Sequence, residues 1–491
     1  MTKKIIFRAD GNSTMGLGHL YRLFALVEMY KSHYDFLFLT KENSVLGVIP
    51  KQYIVNIIPN SIDISNEPEW IGSHFAPKDH IIIADGYQFV SSYQKKIKKG
   101  GFSLIYVDDL IKEHMFADIV INHSPHALER DFIKEDYTKL ALGTKFALLR
   151  PLFLKEAKQD KTINKIDTAF VCFGGADLFN LSLKAVQALL KVPTIISIHV
   201  VLGAAYKHRE IFDLENQTKK LHLHKNLNEE DLCNLMQSCN ISIAPSSTIL
   251  YEICSVKMPI LSGHFVDNQK GIYKELAKQE VIFKGGNLKD YSVLDFEEKI
   301  NKIIKNHKID TYLKNQKKLF DGKSKVRFLG IMNKLNISFR KAKQEDLMQV
   351  YSWSNDAFVR KNSYDSKPIE LKNHKKWYLN KIKDSNTLFL LPLINNKPAG
   401  VVRYDITETH AIVGVLVSKD YRGQKLASQI LINSAKLYFK NNSIPILAYI
   451  KKENTASVKS FENARYTYFK DEIIKGSLSF VYKLEKSDVI K

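Results

Sequence analysis

Short apolar runs separated by helix-spaced stretches dominate the first 150 residues. β-Branched or aromatic runs recur at 5–8, 36–39, 81–84, 104–107 and 119–121. After the first of them, Leu20, Leu23, Phe24 and Val27 repeat at helical spacing. Strands alternating with helices predict a parallel sheet wrapped by helices. A polar, Lys-rich stretch at 155–165 interrupts the pattern and reads as an interdomain linker. The alternation then resumes, with strands at 168–173, 195–202 and 241–244, helices at 181–190 and near 231–236, and closing helices at 296–304 and 312–319. This predicts a second nucleotide-binding type α/β unit, which residues 323–336 lead out of. From 337 the pattern changes. A strand at 337–340 and a helical stretch at 344–352 precede adjacent strands at 388–391, 399–404 and 412–417, with hairpin-like spacing around 394–397 and 407–410. Strands next to each other in sequence predict an α+β domain with antiparallel pairing.

The 491 residues exceed what one core accommodates, so three domains are expected, at 1–155, 165–335 and 337–487. A hydrophobic share of 45% and a charged share of 25% are those of a folded globular chain and assign every segment to a fold. The net charge of +21 raises nucleic acid as a partner. Lys supplies 62 of the 73 basic residues and is scattered, while Arg, the base-edge and phosphate-fork residue, is scarce. A solvated lysine surface is therefore the better reading, one that also draws in an anionic small substrate such as a diphosphate. Cys172, Cys233, Cys239 and Cys254 stand singly, without the paired spacing of a zinc site or disulfide framework, and read as buried free thiols. The amino terminus lacks a signal-type apolar stretch, and no run of about 20 apolar residues exists to cross a membrane. The expected compartment is the reducing cytoplasm.

Two loops carry candidate chemistry. The strand at 5–8 runs into Asp10-Gly11-Asn12-Ser13-Thr14-Met15-Gly16-Leu17-Gly18-His19 and then a helix. Glycines let backbone approach a ligand, and a helix amino terminus offers unpaired N–H groups to anions. A histidine there lies in the field of the positive helix end, which disfavours its protonated form and keeps an imidazole available as a base, although such a residue also serves as a cap or in packing. In the second domain a strand ends at Ala244-Pro245 and Ser246, Ser247 and Thr248 open a helix that carries Glu252. The hydroxyl residues can present N–H and O–H donors to a diphosphate, and Glu252 can accept from ribose hydroxyls. A plain Ser/Thr helix cap is the alternative.

Together, Phe7-Arg8-Ala9-Asp10 with Gly16-x-Gly18-His19, the turn Gly174-Gly175-Ala176-Asp177, Ser246-Ser247-Thr248 with Glu252, and Asp267-Asn268-Gln269 resemble the UDP-2,4-diacetamido-2,4,6-trideoxy-β-L-altropyranose hydrolases of pseudaminic acid biosynthesis. The resemblance covers residues 1 to about 335. It implies a glycosyltransferase-B-like pair of Rossmann-type domains, with UDP held mainly by the second domain and His19 catalytic in the cleft. Asp10, Tyr87 and Asn268 match family positions around that cleft, and Gly16, Gly18, Gly174, Gly175 and Gln269 join the substrate contacts. No Asp-rich metal motif stands nearby, so a metal-free hydrolysis is expected. A glycosyltransferase of the same fold would bind the UDP-sugar identically.

In the last third, the strand ending Leu416-Val417 runs through Ser418-Lys419-Asp420-Tyr421 into Arg422-Gly423-Gln424-Lys425-Leu426-Ala427 and a helix. This resembles the acetyl-CoA loop of the GNAT acetyltransferases, whose backbone N–H groups cradle the coenzyme pyrophosphate. Lys425 stands where that family usually has glycine. Asn454 and Ser457 open a helix, as in the family, and Phe461 occupies the position of a common tyrosine acid. The likeness implies acetyl-CoA as cofactor for a GNAT domain at about 337–485. Fusion to the hydrolase, with Trp353-Ser354-Asn355 resembling a segment of the acetyltransferase one step earlier in the same pathway, implies the 4-amino group of the precursor UDP-sugar as acceptor. An unrelated acceptor amine is the alternative, and a non-catalytic binding module is the reading from another class.

Overall fold

The computed structural model describes residues 3–12, 15–203 and 205–489. These fall into two compact units, Lys4–Lys325 and Val326–Lys491. The first holds two parallel sheets. In one the strand order is Val55–Ile58, Phe36–Lys41, Lys4–Ala9, His80–Asp85, Ser103–Val107, Ile119–Asn122, Lys139–Leu142. The run Ile81-Ile82-Ile83-Ala84 is wholly buried, as expected of a parallel strand covered on both faces. From Lys4–Ala9 the chain winds first to one side, through Phe36–Lys41 and Val55–Ile58, and then to the other, through His80–Asp85. That reversal opens a crevice at the carboxyl ends of the two central strands, where ligands of open α/β sheets bind.

The second sheet repeats the arrangement in the order Leu221–Lys225, Ser197–Leu202, Thr168–Val171, Ile241–Pro245, Ile260–His264, Phe283–Asn287. Its reversal lies between Thr168–Val171 and Ile241–Pro245. Gly174-Gly175 follows the first of those strand ends after two residues, and Ser246-Ser247-Thr248 follows the second directly. The expected linker begins inside a helix, Pro151–Glu156. That helix belongs to the second sheet's layer: Arg150 meets Glu252, the Leu152 N–H donates to Glu229 at 2.7 Å, and Lys257 Nζ donates to the Glu156 carbonyl at 2.8 Å.

The other unit has one mixed sheet, ordered Ile337–Lys341, Thr387–Ile394, Gly400–Ile406, Ala411–Val417, Ile446–Lys451, Ser477–Leu484, Thr467–Ile474. Neighbours are antiparallel except Ala411–Val417 and Ile446–Lys451. This parallel pair is joined only at Ala411↔Ile446 and Ile412↔Leu447, so beyond Ile412 the strands part. The helix Leu426–Asn441 buries Ile430, Leu431, Ala435 and Tyr438 against the sheet. This unit starts at Val326, ahead of the expected boundary at 337, because the helical residues after Val326 pack on the Arg422–Ala427 loop: a Cβ at Gly330 would lie 2.5 Å from the Gln424 carbonyl. All four cysteines are buried and free. Among the described residues no helix is long and apolar enough to cross a membrane.

Candidate functional site

The helix Gly18–Tyr30 starts where the glycine loop ends, so His19 sits in its first turn, at the carboxyl ends of Lys4–Ala9 and His80–Asp85. Gly16 takes φ +77, a conformation glycine adopts without penalty, and its N–H closes the loop on the Asn12 carbonyl at 2.8 Å. Ser13 and Thr14 lie outside the described residues. His19 is 5% exposed. Its Nδ1 stands 2.7 Å from Asp85 Oδ1 and 2.7 Å from Arg22 Nη2, which is itself 2.6 Å from the same Asp85 oxygen. The Asp85 carboxylate only accepts and the Arg22 guanidinium only donates; with its proton on Nδ1 the ring donates to Asp85 and keeps its lone pair on Nε2, the form a base requires. Arg22 also reaches Asp109 at 2.5 Å and carries the opposite charge to both carboxylates. Tyr87, half exposed, sets its ring edge-on to His19 at 4.7 Å and donates to Asp109 at 3.3 Å.

Asp10 faces inward. It accepts from Arg8 at 2.5 Å, from the Lys41 N–H at 2.7 Å and from Gln88 at 3.0 Å. Burial pushes its acid up, but Arg8 and these donors outweigh burial and hold it below the usual carboxylate value. Arg8 is fully buried and forks onto Glu67 at 2.7 and 2.8 Å. Asp10 therefore braces the loop rather than facing the crevice.

Across the crevice, Gly174 takes φ +85, and the Gly174-Gly175 turn lies so close to Gly203 that a Cβ there would meet the Gly175 carbonyl at 2.3 Å. Asp177 accepts from the N–H groups of Leu181 and Ser182, both at 2.8 Å, and caps the next helix. The expectation that Ser246 offers donors to a ligand is corrected. It is fully buried, its hydroxyl pairs with Ser262 at 2.9 Å and its N–H donates to Gly263 at 2.8 Å, because it must bridge two adjacent strands. The exposed amino end of the helix Thr248–Val256 is left to Ser247, its N-cap, and Thr248. Glu252 is 8% exposed and forked by Arg150 at 2.7 and 2.8 Å. Asn268 is exposed in a turn that Gln269 braces by accepting from the Phe265 N–H at 3.1 Å. His126 of the first sheet's layer packs on the following helix, where a Cβ at Gly271 would lie 2.5 Å from its ring.

In the other unit a cavity of about 500 Å³ opens where the parallel strands part. Val413–Val417 and Tyr449–Lys451 form its walls, and Arg422, Gly423, Lys425, Leu426, Ala427, Asn454, Ser457 and Phe461 also line it. Past Ile412, among the described residues, no strand pairs with Ala411–Val417 on the side facing Ile446–Lys451. Arg422 is fixed by Asp356 at 2.8 Å, by the Val417 carbonyl at 3.1 Å and over the Phe358 ring at 5.0 Å. Gly423 takes φ +77 and Lys425 φ +56, the left-handed geometry that accounts for the expected glycine there. The Gln424 side chain turns away from the cavity to Asn333 at 2.6 Å and the Asp420 carbonyl at 3.2 Å. Asn454 caps the helix Thr455–Glu462 by accepting from the Ser457 N–H at 3.1 Å.

Sequence reasoning missed Asp85, Arg22 and Asp109. Arg22 lies three residues after His19, on the same helix face, and Asp85 ends a strand before a glycine; both signals were present. Among the described residues no group of three or more His, Cys, Asp or Glu could hold a metal ion.

Residues 347–465 match the model of the Acetyltransferase (GNAT) family. The UDP-2,4-diacetamido-2,4,6-trideoxy-β-L-altropyranose hydrolase of Campylobacter jejuni is 30% identical over 292 residues, 57% of this chain and 99% of that protein. An uncharacterized protein of Methanocaldococcus jannaschii is 23% identical over 485 residues, 94% of this chain and 96% of its own. The spore coat polysaccharide biosynthesis protein SpsG of Bacillus subtilis is 24% identical over 337 residues, 67% of this chain and 97% of its own.

Proposed function

This chain belongs to the UDP-2,4-diacetamido-2,4,6-trideoxy-β-L-altropyranose hydrolase family, and from that premise we propose that residues 4–325 hydrolyse this nucleotide sugar to the free sugar and UDP. The observation that carries the reading is the His19–Asp85 pair at 2.7 Å, set at the reversal point of the first sheet. Asp85 holds the Nδ1 proton, and Nε2 takes a proton from water as its oxygen attacks the anomeric carbon, a role contributing on the order of 10²- to 10⁴-fold. Tyr87 walls the sugar pocket. Ser247, Thr248 and the N–H groups of their helix end hold the diphosphate, with the Gly174-Gly175 turn lying alongside. Glu252, oriented by Arg150, accepts from ribose hydroxyls, and Asn268 contacts the sugar. UDP release without any added acceptor, lost in His19→Ala and unchanged by a chelator, is the expected result. Strict dependence on an acceptor hydroxyl would sink the hydrolase reading in favour of a glycosyltransferase.

Residues 326–491 act on the same pathway with acetyl-CoA. The cavity between the parted strands fits the coenzyme: the left-handed turn at Gly423 and Lys425 lines it, a backbone form that can cradle a pyrophosphate, and the open edge of Val413–Val417 can pair with an amide-bearing chain. Acetyl-CoA supplies the acetyl group. The chain's own residues position it, with Lys425 adding a cation at the cradle and Leu416, Val417, Asn454 and Ser457 lining the cavity. The acceptor is the 4-amino group of the precursor UDP-sugar. Support comes from the fusion itself and from the Methanocaldococcus relative, which spans both units. Thiol release from acetyl-CoA should be much faster with UDP-4-amino-4,6-dideoxy-N-acetyl-β-L-altrosamine than with generic amines or peptides; equal rates would assign a different acceptor.

A further inference from the structure

A second histidine stands at the hydrolytic crevice. His123 follows Ile119–Asn122, two strands along the sheet from His80–Asp85, at the same carboxyl edge. Its position there is set by Asn122, which donates to Asp108 at 3.1 Å and accepts from the Ser124 N–H at 2.9 Å. The ring lies edge-on to Tyr251 at 5.1 Å, and the His123 carbonyl accepts from the Tyr251 hydroxyl at 3.2 Å. Tyr251 is one turn along the helix whose amino end, at Ser247 and Thr248, faces the crevice. The ring also feels the charges of Arg22, Asp85 and Asp109. It therefore stands at the same carboxyl edge as the His19–Asp85 pair and packs on the helix whose amino end is assigned to the diphosphate.

The proton on this ring can be placed. Nδ1 accepts from the Leu148 N–H at 3.4 Å, so the ring proton is on Nε2. Nε2 has no acceptor among the described residues and is not sealed off from solvent. Burial, then Arg22, pushes the imidazolium down to about 4. His123 thus offers a hydrogen bond and no transferable proton at neutral pH.

We propose that Nε2–H of His123 hydrogen-bonds the β-phosphate oxygen that leaves the anomeric carbon. The inference rests on the hydrolase reading. The water oxygen forms the new bond to the anomeric carbon, and its proton goes to His19 Nε2. The electron pair of the broken carbon–oxygen bond stays on the phosphate oxygen, where the His123 N–H meets the developing charge.

The test uses the full chain with two substitutions. His123→Asn keeps an acceptor near Leu148 and loses the distal donor, whereas His123→Gln keeps an N–H near the Nε2 position. With the diacetamido UDP-sugar, kcat should fall about 100-fold in His123→Asn with little change in KM, and recover about 10-fold in His123→Gln. Calorimetry with UDP and UMP gives a readout independent of turnover. The preference for UDP over UMP should shrink about 10-fold in His123→Asn and be restored in His123→Gln. Unchanged kcat and an unchanged UDP/UMP ratio in His123→Asn would overturn the proposal, as would equal losses in both variants accompanied by a lowered unfolding temperature. Wild-type protein that binds UDP but never turns over the sugar would defeat the hydrolase reading instead, leaving the UDP/UMP ratio to decide on His123.

Discussion

Which nitrogen of His19 is free to accept a proton depends on the two groups that meet Nδ1, Asp85 and Arg22. Asp85 can hold Nδ1–H, and an asparagine there can present its NH₂ to Nδ1 and drive the proton to Nε2, removing the base. Asp85→Asn should lower the rate of UDP release on the order of 10³- to 10⁴-fold and also lower the unfolding temperature, because the buried carboxylate is forked by Arg22. The residues behind the loop behave differently. Arg8 is fully buried between Glu67 and Asp10, and its charge is tolerable there only because both carboxylates meet it. Glu67→Ala leaves half of that pairing undone and should cost about 3–5 kcal/mol, measured by urea unfolding. A shift below about 1 kcal/mol would mean that Asp10 alone satisfies the guanidinium.

Among elements, the coenzyme loop is the clearest test of local geometry. Lys425 occupies the left-handed position that opens the helix Leu426–Asn441. Lys425→Gly should keep or raise stability while weakening acetyl-CoA binding through the lost cation; Lys425→Val should cost about 1–2 kcal/mol, read from thermal unfolding. The strand–glycine loop–helix sequence before His19 was legible because strand, loop and first helical turn are contiguous. Asp85 was not singled out, since an acid at a strand end becomes the partner of His19 only when parallel pairing sets His80–Asp85 beside Lys4–Ala9. Edge and polar strands were missed for a related reason. Leu221–Lys225 alternates with histidines and Phe283–Asn287 holds Gly285-Gly286, so neither shows an apolar run, and each is recruited by its neighbour in the sheet. Ser246 looked like a helix-capping donor in sequence, but the approach of Ile260–His264 takes up its hydroxyl.

For the whole molecule, the proposed functions place two chemistries in two units of one chain. They should fail separately. His19→Ala should abolish UDP release and leave thiol release from acetyl-CoA at the wild-type rate, while Arg422→Ala, which frees Asp356 and the Val417 carbonyl, should weaken acetyl transfer at least 10-fold and leave hydrolysis intact. Loss of both activities in either variant would mean that the sites are not independent. The central claim, that one chain performs consecutive steps on one nucleotide sugar, is tested most directly by a single incubation. Purified protein is given UDP-4-amino-4,6-dideoxy-N-acetyl-β-L-altrosamine and acetyl-CoA, and the products are identified by mass and NMR. Free 2,4-diacetamido-2,4,6-trideoxy-L-altrose, UDP and free coenzyme A are expected in equal amounts, whereas an unacetylated sugar, or an intact UDP linkage after acetylation, would contradict the claim.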